Sequence, residues 1–190
     1  MRSLRSKAIL LVVVAGMLFA VSGCGQPGSL IEGRYEIRGA DGDVVRDTVT
    51  GLEWQRCSLG QSWDGRTCVG EAATYTFEEA EQAADDIAGW RLPTIEELRT
   101  LVYCSSGEPA RFPDIISTSL DPVGSCRGDY QSPTIATEAF PNTLSEGFWS
   151  ASRSPYFAGI ASIVVFRDGV ATSPLGRSYR GRVRFVRGGQ

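Results

Sequence analysis

Few residues in this chain of 190 can do chemistry, and the missing types narrow the field as much as those present. There is no histidine, which excludes Ser-His-Asp and Cys-His nucleophilic catalysis and histidine metal sites. Lys7 is the only lysine, so a mature chain without it has no Schiff-base or lysine-base chemistry. Two adjacent acid pairs, Glu78/Glu79 and Glu96/Glu97, have the residue types of a two-carboxylate hydrolase. Both pairs fall in the first turns of predicted helices, where acids stabilise the helix dipole. Arg180, Arg182 and Arg184 alternate, so a strand would project them from one face, with Arg187 on the other and Arg177 just upstream. Such a guanidinium stripe suits bidentate recognition of sulfate, phosphate or carboxylate. The four tryptophans offer flat faces for the apolar sides of sugars. Trp54, Trp90 and Trp149 occupy strand or corner positions and read as core. Trp63, in a loop between two cysteines, reads as exposed.

Cys24 stands apart from the other cysteines. Arg2, Arg5 and Lys7 precede an apolar run, 8–21, broken by Gly16, and Val21-Ser22-Gly23-Cys24 follows. A charged start and a short apolar run match a secretory leader, and the run is too short to span a bilayer comfortably. Small residues before a cysteine resemble the bacterial lipobox, where cleavage leaves that cysteine N-terminal and diacylated. Two or three acyl chains meet the requirement for stable anchoring. Gly25, where inner-membrane lipoproteins favour aspartate, points to the outer membrane. The expected organisation is a leader over 1–23, a lipidated tether over 24–34 and a folded domain over 35–190, anchored in a bacterial cell envelope. Losing the leader's three cations takes the formal charge from −3 to −6. A net negative, exported domain is not expected to bind nucleic acid.

Cys57, Cys68, Cys104 and Cys126 remain, an even four in an oxidising compartment with three possible pairings. Cys57–Cys68 with Cys104–Cys126 is favoured, because each link closes a Gly/Ser-rich stretch without an obvious core. A redox or copper-handling thiol pair is the alternative, and the chain has no CxxC.

The elements that must position these groups read as short pieces. Strands at 35–38 and 44–46 flank a Gly/Asp turn, and 52–55 alternates in strand fashion. The stretch 60–73 reads as loop. Thr76-Phe77-Glu78-Glu79 is a capping box opening a helix whose buried face is Phe77, Ala80, Ala84 and Ile87, with Gly89 near its C′ position. Thr94-Ile95-Glu96-Glu97 repeats the box, with Ile95, Leu98 and Val102 as the buried stripe. Gly89-Trp90-Arg91-Leu92-Pro93 is the tight corner between them. The stretch 104–146 lacks periodicity, and aperiodic segments of that length are usually functional. Strands follow at 148–152 and 159–166, then the turn Arg167-Asp168-Gly169 into 170–172, and a last strand at 180–187. The class is α+β: small antiparallel sheets, two helices and a long loop region.

Four motifs occur in order: Val45-x-Asp47-x-x-Thr50-Gly51-Leu52-x-Trp54, Gly89-Trp90-Arg91-Leu92-Pro93-Thr94-x-x-Glu97-Leu98, Phe148-Trp149-Ser150-x-Ser152 and Val183-Arg184-Phe185-Val186-Arg187. Together they resemble the bacterial family of unknown function named after the C-terminal domain of the collagen-like adhesin Lcl, from about Tyr35 to Gln190. The resemblance implies a C-type lectin-like fold, akin also to formylglycine-generating enzymes. In that fold the chain ends pair in one small sheet, two helices cross, and a long loop region carries the binding surface. The adhesin's association with sulfated glycans adds weight to the arginine stripe. The −6 charge opposes attraction of polyanions, and Arg184 and Arg187 belong to the motif, which favours internal ion pairs there.

No cofactor is expected to be required. Calcium, which many C-type lectins use, needs converging oxygen ligands. The Glu-Pro-Asn and Trp-Asn-Asp triplets of such lectins are absent, since Ala110 follows Glu108-Pro109 and Ser150 follows Phe148-Trp149. Only scattered Asp114, Asp121, Asp129 and Glu138 could supply a site. Formylglycine-generating relatives use cysteine thiols with copper, and no cysteine sits in the Arg184 strand. The expected function is a non-catalytic binding or adhesion module recognising a glycan or an envelope protein through 104–146. Its expected contact residues are Trp63, Arg177, Arg180 and Arg182. The alternative is an extracytoplasmic hydrolase or modifying enzyme on the same fold.

Overall fold

The structure, a computed structural model, describes residues 32–108, 124–154, 158–174 and 176–189. Cys24, the leader and most of the tether lie outside them, as do Asp114 and Asp121. No helix among the described residues is long and apolar enough to cross a membrane.

One sheet gathers both ends of the domain. Strands β1 (Tyr35–Arg38), β2 (Val44–Asp47) and β3 (Glu53–Gln55) run antiparallel in sequence order, and β9 (Val186–Arg187) closes against β3. Val45, Trp54 and Val186 are cross-strand partners in one row, and all three are fully buried. That row is the sheet's contribution to the core.

A three-stranded sheet of β6 (Gly147–Arg153), β7 (Ala161–Val165) and β8 (Val170–Thr172) carries the helices, with α1 (Phe77–Asp85) against β6 and α2 (Ile95–Arg99) against β6 and β7. Residues 147–150 are buried without a break, because β6 has apolar neighbours on both faces. Phe148 joins Trp54, Leu98 and Phe140 in one core cluster. Its neighbour Trp149 joins Phe77, Val183 and Phe185 in the other.

Both capping boxes are formed. Thr76 Oγ1 accepts from the Glu79 N–H while Glu79 Oε2 accepts from the Thr76 N–H, and Thr94 and Glu97 repeat the exchange. The second helix has only five residues, so its cap is a large part of what defines it. Because the chain tightens after Arg99, with the N–H groups of Leu101 and Val102 donating three residues back to Leu98 and Arg99, Leu101 is fully buried and Val102 only partly, which corrects the expected stripe. The first helix stops at the C-cap Asp86, so Gly89 (φ 79°) serves the corner rather than the cap.

Three other expectations change. The stretch 60–73 contains a hairpin, β4 (Ser62–Trp63) paired with β5 (Cys68–Val69). The strand expected over 180–187 is reduced to β9, with Gly181 and Arg182 making single bridges to Tyr75 and Phe148. Within the long loop, Ile135, Ala136, Ala139 and Phe140 are core residues, so much of 132–140 is structural. The cysteines pair as Cys57–Cys68 and Cys104–Cys126, each with Cα atoms 5.4 Å apart.

Candidate functional site

The arginines expected to form one face do not share one. Arg184 is fully buried, Arg182 has 12% of its side chain exposed, and Arg180 has 48%. The segment is irregular between its bridges, so strand alternation does not apply to it. Arg180 pairs with Glu79 at 2.8 Å and donates to the Thr74 carbonyl. Arg182 donates from Nε to Glu146 at 2.8 Å and from Nη1 to the Ala72 carbonyl. Arg177 is exposed and donates to the Ala158 carbonyl at 3.5 Å.

Arg184 has no carboxylate partner among the described residues. It donates to the carbonyls of Gln55 and Arg56, to Ser58 Oγ and to Thr143 Oγ1, and it faces the rings of Phe140 and Phe148. Burial pulls its pKa down to about 9, which leaves it charged at neutral pH. The internal ion pair expected for this residue is replaced by a cage of carbonyls and hydroxyls.

One member of each acid pair, Glu79 and Glu97, is engaged in its helix start. Glu97 accepts both arms of Arg91 at 2.7 Å in addition to capping Thr94. Those hydrogen bonds outweigh burial and hold its carboxyl below the ordinary range. Glu79 is lowered too, chiefly by the Thr76 N–H and then by Arg180. Among the described residues, no three Cys, Asp or Glu side chains converge as metal ligands, and Asp129 and Glu138 are exposed.

Trp63 is only partly exposed, and it sits in a strand. The Cys57–Cys68 link ties the base of its hairpin to the end of β3. Its indole N–H donates to the Asp41 carbonyl at 2.8 Å, and the Arg56 guanidinium lies 4.0 Å from the ring centroid. Arg56 is itself fixed by the carbonyls of Ala139, Glu138 and Gly42. Gly60 (φ 97°) starts the hairpin where a Cβ would meet the Ala73 nitrogen at 2.7 Å, so only glycine fits.

Trp90 lines the same cleft as Trp63 and is the one motif tryptophan that is half-buried rather than core. Its corner is pinned to β9 by paired backbone hydrogen bonds between Arg91 and Val186. Arg187 stacks on it at 4.5 Å and is held by Glu53 at 2.7 Å. The two indoles, with Asp41, Asp43, Gln55 and Gln61, line a cleft of about 400 Å³ whose apolar floor includes Leu59 and Ile87. This is the size of a small-ligand site, lined by polar and apolar side chains in similar measure.

The sequence signalled Trp63 but not its companions. Trp90 was hidden by its place in a structural motif, and Asp41 and Asp43 by reading as turn residues. The structure brings neither Arg177, Arg180 nor Arg182 to this cleft.

The family model of the Lcl C-terminal domain matches residues 43–187. No curated protein and no solved structure matches the chain.

Proposed function

Given that the chain belongs to the Lcl C-terminal domain family, we propose that it is a non-catalytic binding module of a bacterial cell envelope, C-type lectin-like in fold. In this reading an acylated Cys24 anchors it to the outer membrane, and a glycan or envelope protein is its partner. The observation that carries the reading is the tryptophan cleft, which Trp63 and Trp90 line together with Leu59 and Ile87. Recognition moves there from the arginine stripe, and away from the part of 104–146 that packs the core. Of the acid pairs a hydrolase would draw on, Glu78/Glu79 and Glu96/Glu97, one member of each, Glu79 and Glu97, is held by a helix N–H group and an arginine, which leaves the enzyme reading less supported. The pairing of first and last strands in one sheet, with two short helices on the other, supports the lectin-like assignment.

A glycan array probed with and without calcium, comparing the wild type with Trp63→Ala, tests the module. Binding that requires Trp63 supports it. Binding indifferent to Trp63 returns the site to the loop, and a processing or hydrolysis product on the array restores the enzyme. Mass spectrometry of the mature N-terminus tests the anchor, which requires an acylated Cys24.

A further inference from the structure

We propose that the tryptophan cleft selects a sugar carrying a free amino group, a ligand class that rests on the binding-module reading above. The wall chemistry points this way from three sides.

First, each indole has one face occupied. Arg56 covers Trp63 and Arg187 covers Trp90, and neither arginine lines the cleft. The ring surface turned to the cleft is therefore left for a ligand, and an indole accepts either the C–H face of a pyranose or a cation.

Second, the cleft offers an anion no cation. Three of the five N–H groups of Arg56 donate to backbone carbonyls, and Arg187 is paired with Glu53. A sulfate or carboxylate entering the cleft would meet no free guanidinium on its walls.

Third, the charged groups that do line it are acidic. Asp41 and Asp43 line it and are exposed, and neither joins an ion pair among the described residues. Gln55, Gln61 and Ser62 add only uncharged polar groups. An ammonium on a sugar ring stacked against an indole meets these carboxylates, and charge-assisted hydrogen bonds of that kind are about twice as strong as neutral ones. Acetylating the amine removes the charge and keeps the ring.

The test is titration of the full-length protein in mildly acidic buffer, where the sugar amine carries its proton. The probes are a glucosamine tetramer, an N-acetylglucosamine tetramer and a heparin-derived tetrasaccharide, read by tryptophan fluorescence and calorimetry. The glucosamine tetramer is expected to bind about tenfold more tightly than its acetylated counterpart, and the sulfated probe not to enter the cleft. The double variant Asp41→Asn/Asp43→Asn should erase that preference with an unchanged melting temperature, because both side chains are exposed. Equal or tighter binding of the acetylated or sulfated probe, or a preference that survives the double variant, overturns the amino-sugar assignment. If that happens while binding still requires Trp63, the module reading stands. A wild type that binds none of these probes overturns the ligand class, and one that also binds nothing on the array overturns the module.

Discussion

Arg184 donates from Nη2 to Thr143 Oγ1 at 2.7 Å, at a point in the core that water does not reach. The contact ties the last segment of the chain to the end of the long loop and completes the carbonyl and hydroxyl cage around the guanidinium. Replacing Arg184 by Met keeps much of the volume but strands the carbonyls of Gln55 and Arg56. Each stranded acceptor costs about 1–3 kcal/mol, partly offset because a charge is no longer buried. We expect Arg184→Met to lower stability by about 2 kcal/mol, roughly 4–8 °C in melting temperature for a domain of this size. Urea denaturation checks it, and an unchanged midpoint would show that the cage contributes nothing net.

Acid should weaken the fold through two carboxylates. Burial of Asp47 opposes its ionisation, but Arg34 and the Val49 N–H more than compensate and hold its carboxyl below the usual range. At Glu97 the Arg91 fork dominates, with burial opposing it and the Thr94 N–H adding to it. Both native pKa values lie below their unfolded ones. Their stabilisation is therefore complete above about pH 5 and is lost as pH falls through the lowered native values. Asp47→Asn should cost about 2 kcal/mol at neutral pH, less than a fully buried pair because Arg34 still touches water. It should also flatten the stability profile below about pH 5, measured as urea midpoint against pH.

Arg182 and Arg177 should separate in a melting experiment. Arg182 bridges Glu146 and the Ala72 carbonyl from a largely buried position, so Arg182→Ala is expected to cost about 1–2 kcal/mol. Arg177→Ala, at an exposed side chain with one long hydrogen bond among the described residues, should stay within about 0.5 kcal/mol of wild type. Equal melting temperatures for the two variants would refute this assignment and revive Arg182 as a surface residue.

Reduction should act on the two disulfides by comparable amounts. They close loops with sequence separations of 11 and 22, each corresponding to roughly 3 kcal/mol of chain-entropy stabilisation. Only the Cys57–Cys68 link anchors the Trp63 hairpin. Cys57→Ser/Cys68→Ser should therefore lose ligand binding even at temperatures where the variant stays folded, whereas Cys104→Ser/Cys126→Ser should keep it. Circular dichroism and a fluorescence titration on both variants decide the point.

What was legible in the sequence was local. Thr76 and Thr94 signal helix starts through a box confined to four residues, and both formed as read. The β1–β2 hairpin and the pairing of cysteines close in sequence were legible for the same reason. Arg180, Arg182 and Arg184 misled because alternation carries meaning only inside a continuous strand, and here two isolated bridges replace it. Asp41 and Trp90 are 49 positions apart in the sequence, and no local pattern announces that they border one cleft. That proximity arises when β9 pins the Trp90 corner to the first sheet.

The two-residue strand β9 also sets the order of events in time. Arg187 and Glu53, joined across the first sheet, are separated by 134 positions, and closing so long a span is slow. During synthesis the hairpin of β1 and β2 can form early, but Trp54 keeps an open flank until Val186 arrives. The first sheet and the Trp90 corner become complete only when nearly all of the domain is present. A ribosome that still holds the last segment therefore holds the whole domain short of its native state.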